Sequence, residues 1–133
     1  MTTHVIYLIG GEDDETAEIT EVVVGDECVL TCLCRGKTIR AAAGNFFDAL
    51  CRIRLELEKE RLLLFCYGAS VNAMPSGQTK YLSARIGAYR LRNEVPPTWR
   101  DLVDIFADGP DVIPATVGMQ REFRERFFAS TPA

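Results

Sequence analysis

Along the first third of the chain, apolar and polar residues alternate in short runs; in the middle they fall into a helical period. Residues 4–9 (HVIYLI) are β-branched and aromatic and end at Gly10-Gly11, which predicts a strand and a turn. Residues 12–15 read as a solvated acidic loop, 18–24 as a second strand, and Gly25-Asp26 as a tight turn into a third strand at 28–34. That third run is apolar on one set of alternate positions (Cys28, Leu30, Cys32, Cys34) and largely so on the other (Val29, Thr31, Leu33). It is therefore expected inside the sheet with both faces covered. Residues 38–43 extend an edge strand after the turn at Arg35-Gly36-Lys37.

The spacing then predicts a helix over about residues 45–61. Asn45 is a favourable N-cap, Asp48 suits the first turn, and Phe46, Leu50, Ile53 and Leu57 form one apolar stripe. Asp48/Arg52, Arg52/Glu56 and Arg54/Glu58 are placed on the outer surface as i,i+4 pairs, so the charge run over residues 52–61 reads as a solvated helix face. Residues 62–67 form a strand, followed by a long polar loop carrying Tyr67, Ser70, Asn72, Ser76, Gln78 and Thr79. A return strand then ends near Tyr89 and Leu91.

Residues 93–98 (NEVPPT) connect to 99–106, which fits strand and helix periods equally. A last helix over about 116–129 is capped by Thr116, with Met119, Phe123 and Phe127 as its stripe and Arg121/Glu125 and Glu122/Arg126 pairing outside. The expected fold is a single α+β domain, a mainly antiparallel sheet of about 5–6 strands packed by the long helix and the C-terminal one.

Length and composition agree with that class. At 133 residues the chain can bury about two-thirds of the surface its unfolded form exposes. With 47% apolar and 26% charged residues it has no segment poor enough in hydrophobics to stay disordered. The lack of an apolar run of about 18 residues, and of a basic leader at the N-terminus, makes export and membrane insertion unexpected. Five cysteines, an odd number, fit a reducing cytoplasm better than a disulfide framework.

Charge changes the picture more than its total of −4 suggests. Residues 1–34 hold eight carboxylates and no Lys or Arg, a net −8, while the remaining 99 residues carry +4. Either the acidic part folds against the basic part and the two cancel, or it leaves a negative face that steers a basic partner.

Candidate chemistry is sparse. Cys28 and Cys32 in an extended strand lie about 13 Å apart, too far to share one zinc, and His4 could add only one ligand, so neither metal nor cofactor is expected. Gly68 and Gly77 do not have phosphate-loop spacing, and no histidine accompanies Cys66, Ser70 or Ser76. An enzyme of unfamiliar type would need Cys66, Ser70, Tyr67 and a carboxylate to converge. A nucleic-acid module would need Lys80, Arg85, Arg90 and Arg92, interleaved with Tyr81 and Tyr89, on one open surface, which the acidic balance opposes.

Three segments, NFFDALCRIRLELEKE at 45–60, CYGASVNAMPSG at 66–77 and DLVDIFADGPDVIPATV at 101–117, resemble small cytoplasmic bacterial immunity proteins encoded beside polymorphic toxins of the contact-dependent inhibition or Rhs type. The resemblance implies a non-catalytic single-domain inhibitor that binds the toxic C-terminal domain of a cognate toxin 1:1 and occludes its active site, with no nucleic-acid or membrane partner. It supplies no binding motif to carry over. From the residues themselves, Glu12, Asp13, Asp14, Glu15 and Glu18 are the candidate encounter surface, and Tyr67, Asn72, Tyr81 and Trp99 the candidate anchors.

Overall fold

Tight turns set the architecture of the N-terminal half. A computed structural model describes residues 1–76, 86–92 and 95–130. In it β1 (Thr2–Ile9), β2 (Thr16–Val24), β3 (Glu27–Cys34) and β4 (Lys37–Ala43) form an antiparallel meander. Gly25, at φ 60°, turns β2 into β3, and Arg35 (53°) with Gly36 (74°) turns β3 into β4. Positive φ at both central residues of the β3–β4 turn, Arg35 and Gly36, is what a type I′ turn requires. A fifth strand, β5 (Leu63–Leu64), pairs with the end of β1, giving the order β4-β3-β2-β1-β5.

Strand alternation divides this curled sheet into two faces. On the inner face Ile6, Leu8, Ile19, Leu30 and Cys32 are buried beneath helix α1 (Phe46–Glu58), which presents the expected stripe of Phe46, Leu50, Ile53 and Leu57. Each such aliphatic side chain withdrawn from water contributes about 1.5–3 kcal/mol. Asn45 caps the helix as its sequence predicts, its Oδ1 accepting the Asp48 N–H at 2.8 Å. The helix stops in a Schellman arrangement: Arg61 lies at φ 60°, the Leu62 N–H donates to the Leu57 carbonyl at 3.1 Å, and the Arg61 N–H donates to that of Glu58 at 3.0 Å. Buried Leu62 provides the apolar contact that accompanies this motif.

β3 lies inside the sheet as expected, but the expectation that both its faces are covered is corrected at one end. Leu30, Cys32 and Cys34 are buried on one face; on the other Val29 is buried, Thr31 half-buried and Leu33 47% exposed. The pairing of residues 62–67 with the return segment is also corrected. The chain leaves the main sheet after Phe65 and makes a 3₁₀ turn at Tyr67–Ala69. The return strand β7 (Ile86–Arg90) pairs instead with β6 (Ala73–Pro75) and with β8 (Leu102–Asp104) in a second sheet. Residues 99–104 resolve as a 3₁₀ turn, Trp99–Asp101, leading directly into β8. Ala73, Ala88, Ile105 and Phe106 join the core formed by the first sheet and α1, so the two sheets share one interior.

A third correction concerns Arg54, placed outside by its spacing from Glu58. It is 2% exposed and points into the junction of the two halves. Its Nη1 donates to Gln120 Oε1 at 2.7 Å and to the Gly68 carbonyl at 3.3 Å, and its Nη2 donates to the Ala115 carbonyl at 2.9 Å. Gln120 Nε2 in turn donates to the carbonyls of Gly68 and Ser70. Glu58 faces the start of helix α2 (Val117–Ser130), accepting the Val117 N–H at 2.9 Å where the helix dipole favours an anion.

Thr116 caps α2 as expected, its Oγ1 accepting from the Met119 N–H at 3.1 Å, and Arg126 pairs with Glu122. The stripe differs from expectation. Met119 is exposed, and the helix buries Val117, Gln120 and Phe127, because docking on Arg54 rotates Gln120 to the inside. No helix among the described residues is long and apolar enough to cross a membrane.

Candidate interaction surface

The outer face of the main sheet is built by the other half of the alternation. In β1 the odd positions point outward: Val5 is 65% exposed, Tyr7 52% and Ile9 44%. Phe65 joins them, since its N–H donates to the Tyr7 carbonyl at 2.9 Å and places its side chain in register with Tyr7. Glu18, opposite Val5, and Leu33, opposite Glu18, continue the face across β2 and β3. Apolar side chains left in water at neighbouring positions form a patch of the kind that docking surfaces use.

The loop joining β1 to β2 rises beside this strip, and Glu15 builds it. Glu15 Oε1 accepts the Glu12 N–H at 3.0 Å, while Arg35 holds both carboxylate oxygens, Nε to Oε2 at 2.6 Å and Nη2 to Oε1 at 2.9 Å. The Arg35 hydrogen bonds, helped by the Glu12 amide, hold the Glu15 carboxyl down at about 2, well below its ordinary 4.5. A Cβ on Gly11 would collide with this carboxylate, and one on Gly10 (φ 97°) would collide with the Arg61 carbonyl oxygen. Glu15 is therefore a structural clamp, unlike the other predicted encounter residues. Glu12, Asp13, Asp14 and Glu18 are exposed and have no ion pair among the described residues.

Together these elements border a shallow, open cleft of about 480 Å³. Tyr7, Ile9 and Phe65 supply its apolar wall, and the chain from Gly10 through Glu12, Asp13 and Asp14 its acidic rim. Tyr7, Ile9 and Phe65 were not singled out from sequence. The available signal was that residues 4–9 are apolar at both alternate sets although only one face of β1 is covered.

The anchors expected on the loop have other work. Tyr67 Oη donates to Asp111 Oδ1 at 2.6 Å, Arg90 Nη1 donates to Asp111 Oδ2 at 2.9 Å, and the Arg90 guanidinium sits 5.8 Å from the centre of the Tyr67 ring. The bond to the Asp111 carboxylate raises the Tyr67 pKa, and the same bond lowers that of Asp111. Asn72 accepts from Ser70 Oγ at 2.9 Å and donates to the Leu91 carbonyl at 3.1 Å. Both residues thus strap the second sheet. Trp99 is 74% exposed, with Arg100 stacked 5.4 Å from its ring, and Tyr81 lies outside the described residues.

The groups considered for chemistry are similarly engaged. Cys66 is fully buried, and burial pushes its thiol up to about 11; Cys32 is pushed up to about 12 for the same reason. Burial also raises Cys28, Cys34 and Cys51. A thiol that resists ionisation is a poor nucleophile. Ser70 Oγ donates to Asn72 Oδ1 and accepts the Ile113 N–H at 3.0 Å. His4 stacks on Phe106 with ring centres 4.3 Å apart and contacts Glu21 Oε2 through Nε2 at 2.7 Å. Of the basic stretch, Arg90 pairs with Asp111 and Arg92 with Asp101, whereas Lys80 and Arg85 lie outside the described residues. No cluster of three or more His, Cys, Asp or Glu suited to a metal occurs among the described residues. Comparison with protein-family models and with curated proteins finds no match to this chain.

Proposed function

We propose that this protein is an immunity-type inhibitor: it binds the toxic domain of a cognate bacterial toxin and blocks it by occupying a basic surface around the active site. The observation that carries this reading is the open cleft of about 480 Å³, where exposed Tyr7 and Ile9 and half-buried Phe65 lie beside Glu12, Asp13 and Asp14. An aromatic-rich apolar centre with a charged rim is the anatomy of a protein-binding site, the centre supplying affinity and the rim supplying rate and selectivity. A basic enzyme that acts on a polyanion presents the complementary charge. The resemblance of residues 45–60, 66–77 and 101–117 to immunity proteins points to the same class of partner.

Co-expression with the toxin domain encoded by the neighbouring gene tests the proposal. Growth rescue together with co-purification of the two chains is expected. Recovery of this chain alone, with no rescue, would overturn it.

A further inference from the structure

The two long edges of the main sheet are finished differently. The Leu8 N–H donates to the Glu15 carbonyl at 2.9 Å, so the even residues of β1 bond to β2 and the odd ones face the other way. β5 pairs Leu63 with Ile9, and the Phe65 N–H then meets the Tyr7 carbonyl. β5 would next reach Val5, but the chain departs, and the Tyr67 N–H donates to the Ala107 carbonyl instead. Among the described residues β5 pairs only with Leu8 and Ile9, and no strand pairs with β1 at Thr3 and Val5 on the side away from β2.

At the opposite edge the same alternation turns the even residues of β4 outward. There Arg52 donates to the Ala42 carbonyl, and Arg40 and Lys37 stand exposed as charged guards of the kind that discourage strand pairing. The β1 edge carries no Lys or Arg. It borders the apolar strip of Val5, Tyr7 and Phe65 and lies in the acidic N-terminal segment, residues 1–34.

Resting on the reading of a basic protein partner, we infer that the partner docks by strand addition: an extended segment pairs antiparallel with β1 at Thr3 and Val5, in line with β5. All described pairings of the sheet are antiparallel, which fixes the direction. The segment's N-terminal end therefore points toward Glu12, Asp13 and Asp14. Because Phe65 and the turn at Tyr67 block the edge beyond Val5, that end crosses over Tyr7 and Phe65 on the outer face. The motif that fits has lysines or arginines first and a β-branched strand core after them. Main-chain bonds supply affinity, and the side chains beside Val5 and Tyr7 supply selectivity.

The test uses the full chain and a blocked synthetic peptide, Lys-Lys-Lys-Gly-Val-Thr-Val, with the same peptide N-methylated at both valines as control. Amide hydrogen exchange is read residue by residue. Without peptide, the Thr3 and Val5 amides should exchange far faster than those of His4 and Ile6. With peptide at ten times its dissociation constant, exchange at Thr3 and Val5 should slow about tenfold, and the N-methylated peptide should give no such slowing. Two outcomes overturn the inference. One is already slow exchange at Thr3 and Val5 in the free protein. The other is peptide binding that leaves both amides unprotected, whether it perturbs residues 12–14 or none. The first shows that the edge is closed, and neither outcome affects the toxin-rescue result, so the strand-addition mode can fail while inhibition stands.

Discussion

The junction around Arg54 and the face around Tyr7 are opposites. At the junction a cation is taken out of water, and the groups it touches, the carbonyls of Gly68 and Ala115 and the Gln120 amide, satisfy it. At the face, Val5, Tyr7 and Ile9 remain in water although they are as apolar as the core, and the carboxylates beside them lack cations among the described residues. A closed network consumes its own interactions and serves the fold. The open one is the surface that the proposed partner would use.

The contrast breaks most sharply at Arg54. Arg54→Ala leaves Gln120 Oε1 and the Ala115 carbonyl without these donors, and we expect a loss of about 3 kcal/mol of stability, read from urea denaturation. A loss below about 1 kcal/mol would mean that the junction does not hold the halves together. At the face the effects should be reversed in kind. Tyr7→Ala combined with Phe65→Ala should weaken capture of the partner at least about a hundredfold, mostly through faster dissociation. Tyr7→Ala alone should change stability by only about 0.5 kcal/mol, as exposed sites do.

Much of the fold can be read locally, and the junction cannot. Helix α1 is legible because its cap at Asn45 and its stripe lie within one stretch of chain, although it ends at Glu58, a few residues before the expected 61. The meander is legible because Gly25 and Gly36 mark its turns. Arg54 reads as a surface residue because its nearest sequence neighbour of opposite charge is Glu58, whereas its hydrogen-bond partners include Ala115 and Gln120, over 60 positions away. Leu62–Phe65 reads as half of a hairpin for a related reason: only tertiary structure shows β6 taking over as the partner of β7. On the face, the charge pattern singled out Glu12, Asp13 and Asp14 correctly as exposed groups, but it could not separate them from Glu15. The clamp on Glu15 comes from Arg35, on another strand connection.

Neutralising the loop sharpens the distinction between rim and centre. Glu12→Gln, Asp13→Asn and Asp14→Asn together should slow association with a basic partner about tenfold at low salt, with little change in dissociation, and the difference should fade as salt rises. A stopped-flow series across ionic strength checks this. Glu15 should behave apart from them all. Its folded pKa lies below the unfolded value of 4.5, so its contribution is present above pH 4.5 and is lost as the pH falls toward about 2. An NMR titration of its side-chain carboxyl carbon should show a midpoint of about 2, and a midpoint near 4.5 would mean that Arg35 does not clamp it.

The decisive measurement for the proposed inhibition is growth of cells that express the product of the neighbouring gene together with this protein, either unchanged or carrying Glu12→Lys, Asp13→Lys and Asp14→Lys. The unchanged protein should restore growth, and the charge-reversed variant, melting at the same temperature, should not. Equal rescue by the two would show that the acidic rim of the open face does not hold the proposed partner.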